Sequence, residues 1–218
     1  MINKDDYGIL YGLKTKLSCG IKSFYYPYST TRSLMEKGLS PEWVSGFSDA
    51  ESSFSLKILK RSGYKLGWGV EPSFIICLHA RELPLLEKIQ AFFGVGDISI
   101  GNNNTVTYYV ASIQALTNVI IPHFDRYPLI TKKRADFLLF KSALEIINNK
   151  GPKKPLTLNY ISNLVSIKGG LNWGLPDVLK EAFPAIAPVL RPEIELPKHI
   201  SPQWLAGFID GLFLYSSF

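Results

Sequence analysis

Two acidic residues, Asp49 and Glu51, lie at the end of a segment that the sequence predicts to be a helix. The pair Ser40-Pro41 is typical of a helix start, because a serine side chain caps the first amide groups and proline fits the first turn. Carboxylates at the C-terminal end of a helix face the negative end of its dipole, which is unfavourable unless a cation is bound there. The two acids therefore predict a cation-binding site at this helix end.

A second copy of the same segment lies near the end of the sequence. The first copy reads WVSGFSDAE over residues 43–51, and the second reads WLAGFIDGL over residues 204–212. Each has a small pair in its middle, Ser45-Gly46 in the first and Ala206-Gly207 in the second. Glycine costs about 1 kcal/mol against alanine inside a helix, so a packing reason is expected. Because small residues let two backbones approach closely, we predict that the two helices pack on each other at these four residues.

Composition and charge restrict the class of protein. The chain of 218 residues is 46% hydrophobic and 19% charged, which is ordinary for a globular protein. A net charge of +6 favours a polyanionic partner, although many basic proteins bind none. Cys19 and Cys77 provide no disulfide framework and no metal-ligand spacing. No apolar run approaches the length of about 18 residues that a membrane-spanning helix needs, so no membrane partner is expected.

Hydrophobic periodicity predicts an α+β fold. Alternation indicates four strands, and helical spacing indicates five further helices between the two motif copies. The predicted fold class is an αββαββα half-domain with a four-stranded antiparallel sheet backed by helices, followed by extra helices, a linker and the first helix of a second repeat. The predicted strands are 52–60, 69–79, 97–100 and 105–111, and the predicted helices are 80–93, 113–124, 131–148, 158–167 and 176–183.

The motif copies and two further segments resemble the LAGLIDADG homing endonucleases, a family of intron-encoded DNA-cleaving proteins. The further segments are YPLITKKRAD at residues 127–136, and Asn172-Trp173-Gly174-Leu175 together with Ala182-Phe183-Pro184. They look like the single-chain, two-repeat branch found in organellar introns. The resemblance implies a site-specific endonuclease that hydrolyses double-stranded DNA with Mg²⁺ or Mn²⁺. It also implies a mitochondrial location and a protein that is a monomer in intact relatives.

The resemblance also assigns roles to residues in and near the first motif copy. Glu51 matches the family's essential acid and, with Ala50, is expected to bind the metal, while Asp49 matches a more structural acid. Lys133 matches a lysine that faces the active site. Leu212 stands where the second copy should have its own acid, so we expect that the second repeat is lost and that the monomer makes no double-strand break.

The expected domains follow from the same resemblance. They are a poorly ordered leader (1–37), the first LAGLIDADG half-domain (38–184), a proline-rich linker (185–200) and the truncated start of a second half-domain (201–218).

A twisted antiparallel sheet can follow the major groove and present alternate side chains to base edges, so DNA is expected on the outer face of the sheet. Without the family resemblance, the same side chains are only the exposed faces of amphipathic strands. The tryptophans are expected in the core or between helices. The candidate DNA-binding residues are Ser53, Ser55, Lys57, Leu59, Lys60, Arg61, His79, Ser99, Thr107 and Tyr109.

Three other interpretations remain compatible with the sequence. The family also supplies splicing cofactors (maturases) that bind intron RNA, and the chain is also compatible with an inactive nucleic-acid-binding remnant. A homodimer that brings two Glu51 residues together is the third, although the helix at Trp204 would compete for the same face of the first helix.

Overall fold

A computed structural model describes residues 38–63, 66–151 and 157–215, so the expected leader lies outside the described residues. The strands are β1 (Ser52–Lys60), β2 (Trp68–His79), β3 (Asp97–Ile100) and β4 (Thr105–Val110). The helices are α1 (Pro41–Glu51), α2 (Leu83–Phe93), α3 (Ile113–Ala115), α4 (Ile121–Arg126), α5 (Lys133–Lys150), α6 (Leu158–Gly170), α7 (Asp177–Ala182) and α8 (Pro202–Tyr215). A π-helical turn, Leu116–Ile120, joins α3 to α4.

The four strands form one antiparallel sheet in the order β1-β2-β4-β3, which confirms the predicted αββαββα fold. Phe54 lies opposite Phe74, and Phe74 lies opposite Val110, so all three point to the same face. These side chains are at most 1% exposed because the helices cover that face. The alternate residues of each strand form the opposite, outer face of the sheet.

Helix boundaries depart from the predictions where side chains bind the backbone. The segment predicted as helix 80–93 begins with a 3₁₀ turn, because the Nδ1 atom of His79 accepts the Arg81 amide proton at 3.2 Å. It ends at Gly94, whose φ of 67° is the left-handed conformation that glycine adopts readily. Helix α5 starts at Lys133 rather than Thr131, because Asp49 binds the backbone of Thr131 outside the helix.

The prediction that the tryptophans lie in the core or between helices is wrong for Trp173, which is 77% exposed. Its neighbour Asn172 has a φ of 51° and donates from Nδ2 to the Phe54 carbonyl at 2.7 Å. The turn at Asn172, held by this hydrogen bond, directs the Trp173 side chain away from the core.

Residues 184–200, here called the strap, contain no helix or strand and lie along α6. The Val189 amide donates to the Ser166 carbonyl at 3.0 Å, and the Ser166 hydroxyl donates to the Ala187 carbonyl at 2.6 Å. A Cβ atom on Gly170 would lie 2.7 Å from the Val189 carbonyl oxygen, so this glycine permits the close approach. The strap is therefore fixed to α6 before it reaches α8. Within the described residues, no helix is long and apolar enough to cross a membrane.

His123 is predicted to make the fold sensitive to mild acid. Its ring packs edge-on against Phe93 and Phe124, and its Nε2 lies 3.1 Å from the Ser45 hydroxyl. Burial lowers the pKa of His123 to about 4. Between its unfolded pKa of about 6.5 and this value, only the unfolded state takes up a proton, so stability falls as the pH falls.

Because of this histidine, we expect the free energy of unfolding to be about 2 kcal/mol lower at pH 5 than at pH 7.5. Urea unfolding at both pH values measures the loss. The matched variant is His123→Gln, which retains a hydrogen-bonding group toward Ser45 but does not titrate. The two proteins share the same carboxyl groups, so the contribution of these groups to the pH dependence of stability cancels in the comparison. An equal pH dependence in both proteins would contradict the prediction.

Candidate active site at the crossing of the motif helices

Helices α1 and α8 cross in direct backbone contact at Gly46 and Gly207. A Cβ atom on Gly46 would lie 1.9 Å from the Trp204 carbonyl oxygen, and one on Gly207 would lie 2.1 Å from the Trp43 carbonyl oxygen. Real Cβ atoms do not approach other atoms so closely, so both positions require glycine. The helix of the second motif thereby covers the Gly46 face of α1 within the chain, which is the face that a homodimer would use.

Ser45, which was also predicted at this crossing, is directed elsewhere. The Ser45 hydroxyl is fully buried and donates to the Tyr127 carbonyl at 2.6 Å, which directs it into the half-domain rather than toward α8. Ala206 is half-buried. The close contact is therefore made by the glycines, and Ser45 instead holds α1 to the end of α4.

The two motif aspartates have unlike environments. Asp49 is buried, and its Oδ2 accepts the amide protons of Ile130 at 2.6 Å and Thr131 at 3.0 Å, while its Oδ1 accepts the Thr131 hydroxyl proton. Asp210 instead accepts the Trp43 indole proton at 2.9 Å. Burial raises the pKa of both carboxyls, against the opposing effect of these hydrogen bonds. Asp49 thus fixes the turn that precedes α5.

This turn delivers Lys133 to the C-terminal end of α1. The Lys133 Nζ atom donates to the Ser48 carbonyl at 3.2 Å and to the Ala50 carbonyl at 3.1 Å. The last carbonyls of a helix carry partial negative charge, so an ammonium group is favourable there. Three residues that the resemblance grouped, Glu51, Ala50 and Lys133, therefore meet at one helix end. Thr131, which sets this geometry, was not among the predicted site residues.

Glu51 is the last residue of α1 and is half-buried. Burial raises the pKa of its carboxyl, and the nearby Lys133 ammonium opposes that rise. Its side chain lines a cavity of about 120 Å³ together with Cys77 and His79 of β2 and Leu214 of α8. Because Cys77 and His79 belong to the outer face of the sheet, the cavity places Glu51 beside the face where DNA is predicted to bind.

The second motif places no acid at the matching position. Leu212 packs against Trp204, Phe208 and Ile130, in a small apolar cluster beside the crossing. Across residues 38–63, 66–151 and 157–215, no three acidic, histidine or cysteine side chains are grouped closely enough to hold a metal ion. Two carboxylates, those of Glu51 and Glu82, line the cavity described above, and Glu51 is the one that belongs to the motif helix.

The outer face of the sheet contains the predicted DNA-binding residues. Ser53, Lys57, Leu59 and Ser99 are exposed, whereas Ser55, His79, Thr107 and Tyr109 are half-buried. This face also carries acids that were not predicted, since Glu71 lies opposite Lys57 and Asp97 lies opposite Tyr109. Their positions in the strand alternation were the signal that would have revealed them.

Two basic residues among the predicted DNA-binding residues have intramolecular partners. The Arg61 guanidinium forms an ion pair with Glu71 across the turn between β1 and β2. The Lys60 ammonium lies 5.8 Å from the centre of the Trp68 ring. Lys57 of β1 is exposed on the predicted DNA face.

Comparison with known proteins identifies this arrangement. The family model for LAGLIDADG endonuclease matches residues 44–144. The chain is 40% identical over 194 residues to "Probable intron-encoded endonuclease 2" of Neurospora crassa, covering 84% of this chain and 42% of the relative. It is 41% identical over 114 residues to a Podospora anserina protein named for ND4 intron 1, covering 51% of this chain and 25% of that protein.

Solved structures show the same likeness. The structure of I-SmaMI bound to its uncleaved DNA target in the presence of calcium ions is 43% identical, with a TM-score of 0.75 over 79% of this chain and 58% of that protein. The chain thus spans less than two thirds of the length of each of these relatives. In sequence and in fold, the chain belongs to the LAGLIDADG endonuclease family.

Proposed function

We propose that the chain is a site-specific DNA endonuclease that hydrolyses phosphodiester bonds with a divalent metal ion. The observation that carries this proposal is the meeting of Glu51 and Lys133 at the end of α1, beside a cavity shared with the outer face of the sheet. An acid and an ammonium beside the outer face of the sheet suit the cleavage of a polyanionic backbone.

The residues present fit a hard divalent cation such as Mg²⁺ or Mn²⁺. The Glu51 carboxylate and the Ala50 carbonyl are oxygen donors at the negative end of a helix, where a cation is favourable. Magnesium is commonly bound by few protein carboxylates and retains several waters. When bound, the ion would supply an activated water and offset charge on the leaving oxygen.

Each remaining group has a distinct part in this proposal. Glu51 would hold the ion at the helix end, and Lys133 would place its positive charge beside the phosphate. Asp49 would keep the turn at Thr131 in place rather than contact substrate, because its oxygens already accept three hydrogen bonds. Since Leu212 offers no second carboxylate, we propose that the chain cleaves one DNA strand and not both.

The DNA-binding part of the proposal is tested at Lys57. Replacing Lys57 by serine is expected to weaken DNA binding and to lower the slope of log K against log salt by about 1, because one phosphate contact is lost. Lys88→Ser is the matched control, since Lys88 is exposed on α2 on the opposite side of the sheet. Fluorescence anisotropy at several salt concentrations measures both slopes. Equal slopes for the two variants would place the DNA elsewhere.

Activity is tested with duplexes selected from a randomised pool. Binding is selected with Glu51→Gln, so that bound DNA is not cut, and the selected duplexes are then incubated with the unchanged chain and Mg²⁺ or Mn²⁺. Cleavage at one position supports the proposal. Failure to cleave any selected duplex, together with tight binding of intron RNA, would favour a splicing cofactor instead.

We also propose a mitochondrial location, on the basis of the Podospora relative named for an ND4 intron. Subcellular fractionation of the source organism should recover the chain with mitochondria, and recovery in the cytosol alone would contradict this proposal.

A further inference from the structure

Asp136 in the first turn of α5 joins three separate parts of the chain. Its carboxylate receives two parallel hydrogen bonds from the Arg191 guanidinium, Nη1 to Oδ1 and Nη2 to Oδ2, both 2.7 Å long. Oδ1 also accepts the Asn172 amide proton at 2.8 Å. The Asp136 side chain is 10% exposed and the Arg191 side chain 36% exposed, so the pair is shielded from water on the aspartate side.

Arg191 also binds the backbone next to Lys133. Its Nη2 donates to the Lys132 carbonyl at 3.1 Å, and its Nη1 donates to the Gly170 carbonyl at 3.2 Å. A cation at the N-terminal end of a helix opposes the helix dipole, so the dipole does not explain Arg191. The position of Arg191 is explained by the fork geometry of its guanidinium, which bonds to a carboxylate and to a backbone carbonyl.

The turn that carries Lys133 is thus held from two sides. Asp49 binds Thr131 from the side of the motif helix, and the Lys133 amide donates to the Thr131 hydroxyl at 3.1 Å. Arg191 binds the Lys132 carbonyl from the side of the strap. Loss of either anchor would let the start of α5 shift, and the Lys133 ammonium would move with it.

We propose that Arg191, through its ion pair with Asp136, is a positioning residue that fixes Lys133 against the end of α1. This inference rests on the proposed function for its effect on cleavage. The strap then has a role beyond connecting α7 to α8, since its Arg191 holds the turn that carries Lys133 in place.

The first variant is Arg191→Gln, and its matched control is Lys180→Gln, which breaks the exposed ion pair of Lys180 with Asp177 on α7. Removing one partner of a shielded pair leaves the other uncompensated, so the fold of the first variant is at risk. Lys168, which interacts electrostatically with Asp136, retains one positive charge nearby. The double variant Asp136→Asn/Arg191→Gln removes both charges and keeps hydrogen-bonding groups, so it provides a second, safer test.

The first readout needs no DNA. Lysines are reductively methylated with ¹³C-formaldehyde, and the dimethylamino signal of Lys133 is assigned with Lys133→Arg. Both Arg191 variants should shift this signal at fixed pH, whereas Lys180→Gln should leave it in place. An unshifted Lys133 signal in a folded Arg191 variant would overturn the proposal.

The second readout is single-turnover cleavage of the selected duplex. Misplacing a reacting group by about 1 Å can reduce a rate a hundredfold, so we expect at least a tenfold loss of rate, with DNA affinity changed by less than about twofold. Arg191→Lys, which keeps the charge but not the fork, should recover only part of the rate. A rate equal to that of Lys180→Gln would also overturn the proposal.

The two readouts separate this inference from the proposed function. If the Lys133 signal moves as expected and the unchanged chain cuts no DNA, then the positioning role stands and the endonuclease proposal fails.

Discussion

Replacing Glu51 by glutamine is expected to lower the rate of DNA strand cleavage by about a thousandfold or more while leaving DNA affinity within about twofold. Glutamine has nearly the shape of glutamate but no negative charge to hold a cation. Glu51 lies at the edge of the predicted DNA face rather than in its middle, so its loss should affect the reaction more than the binding. Single-turnover cleavage and anisotropy, measured on the same selected duplex, separate the two effects.

The same substitution should not harm the fold. Burial raises the pKa of the Glu51 carboxyl against the opposing effect of the Lys133 ammonium, which means that the charged form is disfavoured in the folded protein. Glu51→Gln is therefore expected to be at least as stable as the unchanged chain in urea. Glu42→Gln, in the first turn of the same helix, is the matched control and should retain full activity. Cleavage that survives in Glu51→Gln would assign the chemistry to another group.

Replacing Gly46 by alanine is expected to destabilise the chain by about 3 kcal/mol, although alanine is the better helix former. The added Cβ would overlap the Trp204 carbonyl oxygen, and because the obstacle is backbone, the two helices must separate. Separation would also break the hydrogen bond from the Trp43 indole to Asp210. Urea unfolding followed by tryptophan fluorescence measures the loss.

Gly63→Ala is the matched control, because no atom lies within 4 Å of the added Cβ and its backbone is not in the left-handed region. It should change the free energy of unfolding by less than about 0.5 kcal/mol. The variant Gly207→Ala should resemble Gly46→Ala, and the double variant should lose less than the sum, since helices that have already separated cannot clash again. Additive losses, or a Gly46→Ala variant as stable as its control, would contradict direct backbone contact.

Local features made the fold predictable from the sequence. Strand alternation identified which face of β1 and β2 is buried, and Ser40 caps α1 as predicted by accepting the Trp43 amide proton at 3.1 Å. The mid-helix glycines indicated the crossing, because they are unfavourable unless something approaches closely. Each of these signals depends on neighbouring residues or on a repeated pattern.

Features made by distant residues were not predictable. Asp136 and Arg191 meet only because the strap returns along α6, and nothing in their spacing signals an ion pair. The start of α5 was misplaced because Asp49 binds Thr131 from far earlier in the chain. Pairing Lys133 with Glu51 rested on the family resemblance, since lysine at a helix start is usually only a solvated charge.

The most direct test of a single cleavage site per chain is strand-resolved cleavage of a selected duplex labelled differently on its two strands. The chain is used at a concentration where sedimentation shows it to be monomeric, with Mg²⁺ or Mn²⁺ present. Because Glu51 has no acidic counterpart at Leu212, we predict one cut in one strand, which disappears in Glu51→Gln. Two cuts, one in each strand at similar rates, would contradict a site built on Glu51 and Lys133 alone.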